Sequence, residues 1–66
     1  MNDIRFMVSD GMGVFMYIDR LKDDEDFIAI EIEEENDSNG YTSKIIALHK
    51  NEIIDVIDRL KELVEK

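Results

Sequence analysis

In three stretches of this chain, Ile4–Val8, Val14–Ile18 and Phe27–Glu33, one face takes an apolar residue at every second position, and beyond Glu52 apolar residues recur at spacings of three and four. A period of two sends alternate side chains to opposite faces of a strand, whereas spacings of three and four line one side of a helix. The order of the two periods confines the chain to strands first and a helix last. Ile4, Phe6 and Val8 alternate with Arg5 and Met7, and Asp10-Gly11-Met12-Gly13 then predicts a tight hairpin, because glycine admits the positive φ such turns need. The return strand, Val14–Ile18, puts Val14, Met16 and Ile18 on one face and Phe15 and Tyr17 on the other. Residues 19–26 read as a polar connection. Phe27–Glu33 alternates again, with Ile28, Ile30 and Ile32 opposed to Phe27, Ala29, Glu31 and Glu33. Asn36-Asp37-Ser38-Asn39-Gly40 is a second turn cluster, and Lys44–His49 is the fourth strand.

In the helical segment Ile53, Ile57, Leu60 and Val64 form a stripe, widened by Val56 and Leu63, with Asp55, Asp58, Arg59, Glu62 and Lys66 opposite. Asn51 is the expected N-cap, and Glu52 complements the positive end of the helix dipole. The expected fold is α+β: a four-stranded antiparallel β-meander with one C-terminal amphipathic helix packed on one face. That inner face would be Ile4/Phe6/Val8, Val14/Met16/Ile18 and Ile28/Ile30/Ile32. The outer face keeps Met7, Phe15, Tyr17 and Phe27, too much apolar surface to stand idle in water.

A chain of 66 residues is one domain, 1–66, with no Pro and no repeat or linker to divide it. Domains this small bury only about 60 % of their unfolded surface. With no Cys there is no disulfide to compensate, so a homodimer is expected. No apolar run reaches the length of a membrane span and no signal-type segment opens the chain, so a cytoplasmic protein is expected.

Seventeen acids face eight bases, a net charge of −9, and the excess is local. Residues 19–37 hold ten acids against Arg20 and Lys22, while residues 38–66 hold five of each sign. Glu31 and Glu33 share a strand face about 7 Å apart. Glu34, Glu35 and Asp37 continue past the strand end, and Asp23, Asp24, Glu25 and Asp26 precede it. Fixed negative charges at that spacing approach the spacing of phosphates along a nucleic-acid strand. Beside an aromatic surface they suit docking to a basic protein, where complementary potential speeds encounter and fixes register.

Catalysis finds little support. His49 is the one histidine, with no Cys or second His to partner it. Paired carboxylates need a concave pocket that a small open sheet hardly provides. The segment Glu35–Gly40 has oxygen side chains and a glycine where a calcium loop would, but Ile46 stands at the twelfth position, where a bidentate Glu belongs. The ordinary hairpin turn is the better reading. Neither cofactor nor metal is expected.

Lys44-Ile45-Ile46-Ala47-Leu48-His49-Lys50-Asn51-Glu52, a strand feeding straight into a long helix, resembles the end of a PUR-type repeat. Phe15–Asp19 and Phe27–Glu31 fall where that repeat has its second and third strands, and whirly-type coactivators share a similar plan. The resemblance implies an intertwined pair of β-β-β-β-α units that binds single-stranded DNA or RNA on its sheet. Phe15, Tyr17 and Phe27 would then stack bases, and Arg5, Arg20 and Lys22 would meet phosphates. The charge departs from that pattern. A phosphate about 7 Å from a carboxylate costs roughly 0.6 kcal/mol in water before screening, so five such approaches cost about 3 kcal/mol. Each stacked base returns about 1–3 kcal/mol.

In size and acidity the chain is also similar to phage-encoded inhibitors, the DNA mimics and anti-CRISPR proteins. The expected function is therefore a non-enzymatic acidic protein that occupies the basic, nucleic-acid-binding surface of a partner. Its array is Asp23, Asp24, Glu25, Asp26, Glu31, Glu33, Glu34, Glu35 and Asp37, with Met7, Phe15, Tyr17 and Phe27 as anchors or dimer contacts. Direct nucleic-acid binding as a PUR-like homodimer is the alternative, and no membrane partner is expected.

Overall fold

The computed structural model describes residues 5–66. Strands β1 (Met7–Ser9), β2 (Val14–Leu21), β3 (Asp24–Glu35) and β4 (Tyr41–His49) form one antiparallel sheet in the order β1-β2-β3-β4. Helix α1 (Lys50–Val64) follows. The α+β meander expected from the change of period is thus the observed architecture. Ile4, expected in the first strand, lies outside the described residues.

Both turn clusters are built by a side chain that satisfies the backbone it bends. Asp10 Oδ1 accepts the N–H of Met12 at 2.7 Å and of Val14 at 3.2 Å, while Ser9 Oγ accepts that of Gly11 at 3.0 Å. Gly11 and Gly13 have φ of 77° and 95°, the left-handed region where a Cβ is penalised. In the second cluster Asn36 Oδ1 accepts the N–H of Ser38 and of Gly40, and Asn39 takes φ 60°. The Glu35–Gly40 segment is therefore a hairpin turn organised around Asn36.

Strands β2, β3 and β4 run further than their apolar residues, whereas β1 is shorter than expected, with Arg5 and Phe6 lying ahead of it. β2 continues through Asp19, Arg20 and Leu21, β3 begins at Asp24 rather than Phe27, and β4 begins at Tyr41 rather than Lys44. Residues 19–26 are consequently two strand ends around Lys22 and Asp23, not a connection. Ladder hydrogen bonds are made by the backbone, so charged residues prolong a strand wherever their side chains reach water. The pairing slips near this turn. Arg20 faces Ile28 but Leu21 faces Asp24, leaving Glu25, Asp26 and Phe27 opposite no residue of β2. Extra residues in one strand bend it.

Register settles the two faces, since residues directly opposite in antiparallel strands project to the same side. Val8, Met16, Ile32 and Lys44 form one cross-strand row, and Ile18, Ile30 and Ile46 the next. This is the apolar inner face foreseen in the alternation. The opposite face carries the rows Met7, Tyr17, Glu31, Ile45 and Ser9, Phe15, Glu33, Ser43.

The seating of the helix departs from expectation. No residue of α1 is buried, and Ile53 alone is even half-buried. Ile57, Leu60 and Val64 are 45, 54 and 81 % exposed, so the stripe does not lie across the sheet. The cause is the junction. His49 ends β4 and Lys50 begins α1 with no loop between them, whereas connections that reverse a chain commonly use two to six residues. His49, not Asn51, is the N-cap: its Nδ1 accepts the Asn51 N–H at 3.2 Å while Glu52 Oε1 accepts the His49 N–H at 3.0 Å. This reciprocal box, together with the Lys50–Asp26 ion pair at 3.0 Å, fixes the direction in which the helix leaves the sheet. Among the described residues none is buried, polar or apolar.

Candidate functional site

The acidic residues of β3 meet the aromatic residues of its neighbours on one sheet face. Glu31, Glu33 and Glu35 occupy alternate positions of the strand, about 7 Å apart. On β2, Tyr17 lies opposite Glu31 and Phe15 opposite Glu33. On β4, Ile45, Ser43 and Tyr41 lie opposite Glu31, Glu33 and Glu35. The carboxylates are the middle row and the rings stand to either side, the reverse of an aromatic centre with an anionic rim. Glu31 and Glu33 are half-buried between these neighbours, and Glu35 is exposed at the strand end.

The other members of the expected array are dispersed. Glu34 projects to the apolar face, opposite Val14 and Thr42. Asp37 lies in the turn beyond Glu35. Asp23 lies in the turn between β2 and β3, and Asp24, Glu25 and Asp26 occupy the far end of β3, where Asp26 pairs with Lys50. Five residue steps of strand separate Asp26 from Glu31, the nearest members of the two sets, about 17 Å, about twice the Debye length of about 8 Å at physiological salt. The nine acids therefore make two groups at opposite ends of β3, largely screened from one another.

The anchors divide in the same way. Phe15 and Tyr17 flank the carboxylate row, with Met7 at the edge beside Tyr17. Phe27 is on the same face but belongs to the helix junction, its ring edge-on to His49 with centroids 5.3 Å apart. Tyr41 was missed by the sequence reading, which began the strand at Lys44. The alternation Tyr41, Ser43, Ile45, Ala47 carries the signal that places it on this face.

One cation reaches into the acidic row. The Arg5 guanidinium donates to Asp19 Oδ2 at 2.9 Å through Nε and to Glu31 Oε1 at 3.2 Å, and it lies 4.3 Å from the centre of the Tyr17 ring. The Asp19 hydrogen bond, seconded by that of Glu31, raises its pKa further. Arg5 is therefore held as a permanent cation over the end of the row, and a basic partner must displace or avoid it there. Among the described residues Glu33 and Glu35 have no ion-pair partner, so the open charge lies toward the β3–β4 turn. The surface is an open sheet face that can recognise a charged object. No protein family, no curated protein and no solved structure matches this chain.

Proposed function

We propose that this chain is a non-enzymatic acidic interaction protein that docks its β3 carboxylate row against the basic, nucleic-acid-binding surface of a partner protein. The observation that carries the reading is the register that sets Glu31, Glu33 and Glu35 on one face between Phe15 and Tyr17 on β2 and Tyr41 on β4. Flanking rings supply apolar contact area, and evenly spaced carboxylates supply register against Lys and Arg side chains that otherwise hold phosphates. An occupant of that kind competes with nucleic acid for its site, as a DNA mimic does.

The test starts from capture on the immobilised chain of proteins from the native host, each retained protein then being purified and titrated. The expected partner binds nucleic acid, loses the chain when an oligonucleotide is added, and binds more weakly as salt rises from about 50 to 200 mM. Replacing Glu31, Glu33 and Glu35 together with Gln weakens its binding at least tenfold and flattens the salt dependence. Unchanged affinity of that variant at low salt removes the carboxylate row from the interface. A direct titration with single-stranded oligonucleotides is the counterpart: micromolar binding by the chain alone replaces the mimic with a PUR-like nucleic-acid binder.

A further inference from the structure

The apolar face of the sheet and the apolar stripe of the helix are two halves of a core that the single chain never closes. On the sheet, Val8, Ile32 and Ile46 are exposed, Ile46 at 53 %, and so is Phe6 just ahead of β1. On α1, Ile57, Leu60, Leu63 and Val64 are exposed as well. The chain leaves 5935 Å² accessible to solvent, whereas a folded monomer of 7.7 kDa exposes about 4300 Å². The Cα radius of gyration is 14.0 Å, against about 11 Å for a compact domain of this length. The excess is about 1600 Å² per chain.

We propose that a second copy covers it, each α1 lying across the apolar sheet face of the other. Three observations select this occupant. Doubling the excess gives an interface of about 3200 Å², inside the range of about 2000–5000 Å² that obligate homodimers bury. Helix on sheet is the layer these two surfaces would make, and the loopless His49–Lys50 junction keeps α1 from folding back on its own sheet. Exchange of an identical element between copies satisfies both surfaces at once under a twofold axis. The third is charge. The apolar face carries Arg20 and Lys44 against Glu34 on its strands, and Asp26, two residues before Ile28, is paired with Lys50, so two chains of net charge −9 meet where acids and bases nearly balance. The carboxylate row and Phe15 and Tyr17 then face outward on both copies, which moves dimer contact away from Met7, Phe15, Tyr17 and Phe27. This inference goes beyond the proposed function and stands whether or not a basic partner exists.

Adjacent residues of β4 provide the test, because Ile45 and Ile46 project to opposite faces and are 64 and 53 % exposed. Sedimentation equilibrium of the full chain is expected to give twice the chain mass, and its thermal midpoint is expected to rise with protein concentration. Ile45→Asp should leave the dissociation constant within about threefold, whereas Ile46→Asp should raise it a hundredfold or more. Loss of folding in the Ile46 variant would not distinguish helix exchange from closure within one chain, so complementation does. A chain carrying Ile57→Asp and Leu60→Asp, mixed with the Ile46→Asp chain, regains one intact helix–sheet pair only if helices are exchanged. Recovered ellipticity and a dimeric mass in the mixture support the proposal. A folded monomer at micromolar concentration, equal effects of the two β4 substitutions, or no recovery on mixing overturns it.

Discussion

Gly11 and Arg5 show two ways in which a single residue acts on this sheet. Gly11 sits at φ 77° with nothing within 4 Å of where a Cβ would stand, so the cost of a side chain there is conformational and not steric. Gly11→Ala is expected to cost about 1–2 kcal/mol, the penalty of the left-handed region for a residue with a Cβ. A lowered denaturation midpoint measures it, with Met12→Ala, at a neighbouring exposed position, staying within about 0.5 kcal/mol. The glycine was legible as a turn residue because its chemistry is local. Arg5 was not legible as the cation over Tyr17 between Asp19 and Glu31. Those partners are fourteen and twenty-six residues away in sequence, and only the pairing of β2 with β3 brings them to one place.

At the scale of elements, the junction between β4 and α1 determines more than any strand. His49 caps the helix through Nδ1 and stacks edge-on against Phe27. Removing both with His49→Ala should cost about 1 kcal/mol for the cap and a further increment of about 0.5–1.5 kcal/mol for the ring pair. His49→Asn keeps a capping oxygen and should fall between the alanine variant and the native chain. Far-UV circular dichroism during urea titration reads the order of the three. Element type was legible throughout, since period two and period three-to-four are set by backbone geometry. Element bounds were not: Asp19–Leu21, Asp24–Asp26 and Tyr41–Ser43 extend strands with mostly polar residues, among which Leu21 and Tyr41 stand too isolated to mark a strand end. The same extension explains the missed Tyr41.

Across the whole molecule, net charge and apolar exposure pull in opposite directions. Copies that each carry −9 repel one another, and that repulsion falls as added salt shortens the Debye length. Raising salt from about 20 to 500 mM is therefore expected to raise the thermal midpoint by several degrees, since about 1 kcal/mol corresponds to about 4–8 °C in a chain of this size. Docking of a basic partner should weaken over the same range, so one titration separates cohesion of the chain with itself from attraction to something else. A falling midpoint would mean that attractive pairs such as Lys50–Asp26 outweigh the repulsion. By itself the sequence determined the order of strands and helix, the two faces of the sheet and the density of acid between residues 19 and 37, because each follows from spacing along the chain. Tertiary structure alone decided that the acids split into a row on β3 and a group at its far end. It also decided that Arg5 caps the row and that the helix stands clear of its own sheet. Those outcomes depend on cross-strand register and on the direction of one loopless junction, and neither quantity is written in any local run of residues.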